Sequence, residues 1–493
     1  MTNKIPHSVF SNILILFYKL KYENPPRCLA VAAIYTRKQV WLSTSLIRIT
    51  DMASFDFSTL MTSLSAGELP ADLPYKEAVL CFTLFMHTFE VYLECRQLVY
   101  LRKTSLPAAL QGIIKEETFQ KSRVYSLDKW NFSMVRSTYS LIEGIAIIWY
   151  ELLPLLWNWT LVPLAAMGLT ADHEIVRSIV FTLVYILITT VIGLPWSIYG
   201  TFVLEAKHGF NKQTPSLFVK DIIKTFLLAL IFVPILEGLL IPIIQFGGKY
   251  LALWLWLFMF SVAIVMMTIY PTLIAPLFNK YEPLSEGTLR SKIEALAGSL
   301  EFPLKKLYVV DGSTRSSHSN AYMYGFFKNK RIVLFDTLIK QCEDNEELVV
   351  AVLAHELGHW KEGHTVRQFV SGQVVSFVQF GLYTVVRNTD AIFTSFGYSD
   401  KPALIGLLLF QFIISPIDHI VGFVFNILSR MYEFQADAFA RKLGYSKELR
   451  EGLIRLQEEN KGAMNIDPMY SAYHHSHPPL VERLEAIDMK KDD

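Results

Sequence analysis

The chain has 493 residues, 52% of them hydrophobic and 18% charged, with a net charge of +1. Its positive mean hydropathy excludes an ordinary soluble enzyme and points to membrane spans, and the near-zero charge gives no general attraction to nucleic acid. The four cysteines, Cys28, Cys81, Cys95 and Cys342, form neither CxxC pairs nor a disulfide framework, so a metal would be held by His and carboxylates.

Residues 1–51 mix a short apolar run, Val9–Tyr18, with Lys, Arg and β-branched residues and show no clear cleavage site. This extension has no assigned role, and Met52 offers an alternative start. Seven stretches then approach the roughly 20 residues that a membrane-crossing helix needs. They fall near 77–95, 140–166, 176–204, 222–246, 251–273, 369–387 and 403–427, the first and sixth being short and mixed with polar residues. Five of them lie in a membrane region over 52–273, and the last two form a hairpin over 369–427.

Loop charges orient the spans. Eight Lys and Arg from Arg96 to Arg136 follow the first span, and Lys207, Lys212 and Lys220 follow the third. The loop at 167–175 has none, and that at 247–250 has only Lys249. This alternation predicts a lumenal N-terminus, with 274–368 and the C-terminus cytosolic. Within or beside the spans stand Glu90, Glu143, Glu151, Glu237, Asp418 and His419. Charges at that depth normally face a protein interior or water, so a hydrated space among the helices is expected.

The insertion at 274–368 reads as a small α/β unit, with an amphipathic helix over Ser285–Leu300 and strands at Leu307–Val310, Tyr322–Phe327 and Arg331–Phe335. It ends in AVLAHELGHWKEGH. His355 and His359 lie four apart on one helix face, where both can bind one Zn²⁺, and Glu356 can serve as general base. With 12 His and 45 acidic residues in the chain, an accidental HExxH match is expected only about 0.03 times. Asp344 is the predicted cap, with Glu347 at the third position and Leu348, Val349, Val352, Leu353 and Leu357 recurring at helical spacing. A sheet beside such a helix would hold an extended peptide along a strand edge.

A catalytic zinc needs a third protein ligand. The HExxHxxGxxH form is excluded, because Glu362 and Thr365 replace its Gly and third His. His364, five residues past His359, points to another face. Glu433, in a helix expected at 429–443 within the cytosolic C-terminal part (428–493), is the better candidate. Asp437, one turn later, would accept the free N–H of a ligating His. Downstream, within Tyr470-Ser471-Ala472-Tyr473-His474-His475-Ser476-His477-Pro478-Pro479, His477 is one candidate for oxyanion and substrate contacts, and Arg483 is the other. The plainer alternative is a Pro-started helix whose His merely caps or packs. The terminal Lys490-Lys491-Asp492-Asp493 fits a dilysine retrieval signal of endoplasmic reticulum membrane proteins.

HELGHW at 355–360, EFQAD at 433–437, SHPPLVERL at 476–484, HSNAYMYGFFKNKRIVLFDTL at 318–338 and KHGFNKQT at 207–214 together resemble the type I CaaX prenyl proteases. The likeness runs from about residue 77 to 489, leaving 1–51 outside it. The resemblance implies a predominantly α, seven-span membrane metalloprotease enclosing a water-filled chamber in the endoplasmic reticulum membrane. It implies one zinc on His355, His359 and Glu433, with Glu356 catalytic and a peptide-binding edge at Asn320, Ala321 and Tyr322. The expected substrates are prenylated, typically farnesylated, CaaX proteins that lose their last three residues, and some members also make an upstream cut. Two other readings compete: a membrane quality-control zinc protease with fewer spans, and a seven-span transporter or receptor holding a structural zinc.

Overall fold

The computed structural model describes residues 67–325, 329–342 and 344–488. The 1–51 extension, Met52 and the Lys490-Lys491 pair lie outside these residues.

The first helix, α1, covers Tyr75–Leu101 and α2 covers Glu116–Trp149, whose first turn carries Glu116 and Glu117 as the helix dipole favours. Two short helices follow, α3 (Leu152–Trp159) and α4 (Leu161–Ala166). The span expected over 140–166 is therefore not one helix: α2 and the α3–α4 pair meet at 61°. The break sits at Glu151, in the left-handed conformation (φ 53°) that interrupts helical hydrogen bonding. Glu151 pairs with Lys76 at 2.7 Å and presses on Gly397, where an added Cβ would meet Glu151 Oε2 at 2.5 Å. Arg177 braces the far side, donating to Trp157 O (3.0 Å) and Thr160 Oγ1 (3.2 Å).

Next come α5 (Glu174–Ile198), which runs into a π-helical turn at Tyr199–Glu205, and α6 (Pro215–Phe246). Thr214 caps α6 by accepting from Leu217 N–H at 3.2 Å, with Pro215 preset for the first turn. Helix α7 (Leu251–Ile269) ends in a second π-helical turn, Tyr270–Ile274, and α8 (Ala275–Phe278). The insertion then builds β1 (Tyr281–Pro283), α9 (Thr288–Ser299), β2 (Leu304–Val310), β3 (Ala321–Tyr324) and β4 (Lys330–Phe335). The sheet order is β1-β2-β4-β3, with β2 and β4 parallel and β3 an antiparallel edge strand.

After α10 (Asp336–Gln341) comes the HExxH helix, α11 (Glu346–Lys361), followed by α12 (His364–Asn388), α13 (Asp390–Ser395), α14 (Ala403–Lys442), α15 (Ser446–Glu459), α16 (Pro468–His474) and α17 (Leu480–Asp488). The cap of α11 is Asn345, whose side chain accepts from Glu347 N–H at 3.2 Å; the expected Asp344 instead pairs with Arg455 at 2.6 Å. The expected helix at 429–443 is not separate either. It is the end of α14, whose 40 residues give a length of about 60 Å. No turn residue lies between the span and the ligand segment, and Gly444 (φ 91°) closes the helix.

Six described helices are long and apolar enough to cross a membrane, and the bent α2–α4 unit makes seven. Their packing is concentrated at two ends. One core joins Trp157, Phe181, Ile244, Tyr383, Phe393 and Leu409. The other joins Ile293, Leu334, Leu348, Leu353, Ala440 and Leu449 around the sheet and α11. Between them, 81–92, 135–147, 182–198, 215–236, 256–269, 365–382 and 415–432 contain no buried side chain. Along these stretches the helices meet through partly buried side chains, as Phe260 meets Phe369 at 5.9 Å, and much of their apolar surface is exposed, as suits segments that face lipid. Several polar side chains of the spans meet partners: Gln379 donates to Asp418 (2.6 Å), Thr182 to Glu237 (2.5 Å), and His419 Nδ1 contacts Tyr473 OH (3.0 Å). Glu90, Asp418 and His419 line one 290 Å³ cavity.

Candidate metal centre and peptide cleft

Helix α11 is pinned by Leu348, Leu353 and Leu357, each at most 1% exposed, and such burial stabilises by roughly 2 kcal/mol per side chain. Its motif glycine lets α14 come close. A Cβ on Gly358 would meet Phe439 Cδ1 at 3.1 Å and Ala436 Cα at 3.2 Å. Ala436 stands between Glu433 and Asp437, so this tight crossing delivers both carboxylates to the two His.

His355, His359 and Glu433 each offer a ligand atom, all within 4.8 Å of one another. His355 Nε2 lies 3.2 Å from His359 Nε2 and 3.5 Å from Glu433 Oε2, and His359 Nε2 is 3.3 Å from Glu433 Oε1. Ligands about 2.0–2.1 Å from a tetrahedral zinc stand roughly 3.3–3.4 Å apart. Glu433 Oε2 is buried with no hydrogen bond directed at it, although His477 Nδ1 lies 3.0 Å away. The donor set and the orphaned oxygen both fit a zinc ion.

The other ring nitrogens are held in place. His355 Nδ1 lies 2.8 Å from Asp437 Oδ1, so its proton sits there and Nε2 is bare. His359 Nδ1 is 3.1 Å from His364 Nδ1, and His364 Nε2 is 2.8 Å from Gln435 Oε1. With Gln435 accepting, His364 is protonated on Nε2 and accepts on Nδ1. His359 must then donate from Nδ1, leaving its Nε2 bare as well.

The sequence reading missed His364 and Gln435 as supports. In an unbroken helix His364 would face away, but Gly363 (φ 71°) ends α11 and α12 restarts at His364, so the ring turns back. The Gly two residues after Lys361 was the available signal.

Glu356 lines a 140 Å³ cavity with Asn320, Ala321, His355, Glu433, His477 and Arg483. Burial holds its carboxyl above the ordinary carboxylate range, Glu433 adding to the effect and the two His opposing it. Arg483 grips Asp437 with two bonds, Nε to Oδ2 at 2.8 Å and Nη2 to Oδ1 at 2.6 Å, and holds Nη1 3.6 Å from Glu433 Oε2. His477, 66% exposed, leans on Glu433.

Of the predicted edge residues, Asn320 and Ala321 reach this cavity. The pleat turns Tyr322 away, its hydroxyl 3.1 Å from that of Tyr281. Asn320 O accepts from Phe335 N–H at 3.1 Å, so the backbone of Ala321 and Met323 faces the free edge. Asn320 Oδ1 accepts from Ala321 N–H at 2.8 Å. The 207–214 motif anchors the approach to β3: Phe210 stacks on His318 at 4.1 Å, and Asn460 Oδ1 contacts both His318 Nδ1 (3.0 Å) and Ser319 N–H (3.3 Å).

Membrane-crossing helices that carry an HExxH helix at one end, with a carboxylate from a later span beside it, define a membrane-embedded metallopeptidase. Comparisons with known proteins agree. Residues 96–280 match the family model for the CAAX prenyl protease N-terminal region, five membrane helices, and residues 283–491 match peptidase family M48. The chain is 55% identical over 423 residues to the CAAX prenyl protease 1 homolog of Oryza sativa subsp. japonica, covering 85% of this chain and 99% of that protein. Against the Homo sapiens homolog it is 44% identical, covering 86% and 97%. The crystal structure of S. mikatae Ste24p superimposes with a TM-score of 0.80 at 40% identity, covering 84% of this chain and 99% of that one. The chain belongs to the CAAX prenyl protease 1 family and is a multi-pass membrane metalloendopeptidase.

Proposed function

We propose that this protein removes the last three residues of prenylated, typically farnesylated, CaaX proteins, using one zinc held by His355, His359 and Glu433. The observation that carries the reading is the meeting of these three side chains beside Glu356 and an unpaired strand edge. Zinc, when bound there, supplies the Lewis acidity for peptide hydrolysis. The substrate pairs with the free edge of β3, displacing the Asn320 side chain from Ala321 N–H. Glu356 takes a proton from the attacking water and passes it to the leaving amine, a task suited to a carboxyl whose basicity burial has increased. His477 and the Nη1 of Arg483 face the charge that develops on the carbonyl oxygen, while Asp437 holds both Arg483 and His355. We further propose that the protein sits in the endoplasmic reticulum membrane, as its resemblance to the CaaX prenyl proteases implies, with the N-terminus lumenal and the metal end and C-terminus cytosolic, as the loop charges indicate.

The test uses purified protein with a farnesylated CaaX peptide and its unprenylated twin, with and without chelator. Tripeptide should be released only from the prenylated peptide and only with metal present. Glu356→Gln should keep its zinc yet cleave roughly 10²–10⁴-fold more slowly; unchanged cleavage would sink the mechanism.

A further inference from the structure

Two cavities flank the ligand triad, and their characters differ. The small one holds Glu356 and Arg483. The large one, 870 Å³, starts at His359 and Trp360 and runs between β3 and the adjoining ends of α7 and α12. Its walls include Met266, Met267, Phe278, Tyr322, Met323 and Phe369. That volume lies within the about 300–1,000 Å³ of small-molecule sites, and thioether side chains adapt to flexible apolar guests.

The position of this cavity follows from how the two helices meet. Helices α7 and α12 are zipped by Trp256 on Phe377 and Phe260 on Phe369, both at 5.9 Å, and by Trp256 Nε1 donating to Gln373 O at 3.1 Å. Beyond this seam the π-helical turn at Tyr270–Ile274 and the restart of α12 after Gly363 shape the space between them. Such π-turns commonly mark functional sites. The rim residues Met267, Tyr270 and Val366 are 40%, 58% and 66% exposed and belong to segments that cross the membrane.

The chemistry assigns the two sides. Glu356 must reach the leaving nitrogen, so the departing tripeptide lies on the Glu356 side. The acyl half, ending in the modified cysteine, lies across the metal toward His359. We propose that the 870 Å³ cavity is the prenyl-chain site: it takes the isoprenoid of the S-prenylcysteine and limits the chain length accepted. This rests on the reading of the protein as a prenyl-CaaX endopeptidase.

The test compares kcat/KM for otherwise identical peptides carrying C10, C15 and C20 chains. Each buried methylene is worth roughly fourfold in affinity, so Met266→Trp, which fills the wall, should raise the C10-to-C20 ratio at least tenfold. Val378→Trp, exposed on α12 and outside the cavity, should leave the ratio within twofold. Thr365→Trp provides the same measurement from the opposite wall if Met266→Trp does not fold. In parallel, a farnesyl peptide with a terminal diazirine is photolysed on the Glu356→Gln protein, and adducts should map to the cavity walls at 264–281, 310–325, 330–335 or 359–369. Adducts confined to other segments, or a ratio unchanged in a folded filling variant, overturn the inference while tripeptide release continues. If the unsubstituted protein releases no tripeptide from any prenylated peptide, the underlying reading fails, and this inference falls with it.

Discussion

At the residue scale, the candidate centre depends on side chains that touch no substrate. Asp437 is 2% exposed and is shared between His355 and Arg483. Asp437→Ala frees the His355 tautomer and leaves the guanidinium without its partner. Loss of such an outer ligand usually costs about 10–100-fold in metal affinity. Zinc affinity measured by competition with a chromophoric chelator should fall in that range, and affinity equal to the parent would remove Asp437 from the site. His364→Ala breaks the corresponding relay to His359 and should also weaken zinc, about tenfold, with Gln435→Ala a milder copy. The carboxylates and the His364 support differ in how far the sequence shows them. Glu433 and Asp437 follow from chemistry once HExxH is recognised, because a third ligand is required and acids one turn apart share a helix face. His364 becomes adjacent only through the left-handed Gly363, a backbone event that helical periodicity does not encode.

At the element scale, the crossing of α11 and α14 is the joint on which the centre depends. Gly358→Val puts a branched side chain where even a Cβ stands 3.1–3.2 Å from Phe439 and Ala436. The Ala436 contact is backbone and cannot swing aside, so α14 must retreat with Glu433 and Asp437. Overpacking of this kind costs typically 1–3 kcal/mol, and the expected outcome is a lower unfolding temperature in detergent together with a loss of zinc affinity of at least tenfold. Weakened folding with unaltered zinc affinity would show that the ligands do not depend on this crossing. A second joint ties the C-terminal segment to α1. Asp467, 1% exposed, caps α16 through Met469 and Tyr470 N–H and receives two bonds from Arg96 at 2.9–3.1 Å. Asp467→Ala should cost roughly 2–3 kcal/mol, below the full value of a buried pair because Arg96 is partly exposed, and calorimetry in detergent measures it. The seven spans were legible because apolar length is a property of composition. The bend at Glu151 and the union of the last span with the ligand helix were not. Both depend on local backbone conformation: Glu151 looks like any polar residue, and the polar residues after 427 look like a new element although no Gly or Pro stands between 427 and Gly444.

At the scale of the whole molecule, two cores are joined by helices whose middle stretches hold no fully buried side chain, and this arrangement separates stability from chemistry. Leu409 belongs to the core remote from the metal and Glu433 to the centre; along α14 they are 24 residues apart, or about 36 Å. Phe393, 1% exposed, packs in that remote core. Phe393→Ala removes a ring that no neighbour can replace, a change that typically costs about 3–5 kcal/mol. The centre, however, is held by α11, the end of α14 and α17, which pack around the other core. Below its lowered unfolding temperature, Phe393→Ala should therefore bind zinc with the parental affinity. Leu353→Ala lies in the core beneath the HExxH helix and should lose both stability and zinc affinity. Scanning calorimetry and zinc competition on the two variants provide the comparison. If Phe393→Ala weakens zinc as much as Leu353→Ala does, the two ends are rigidly coupled, and the spans between them transmit strain instead of isolating it.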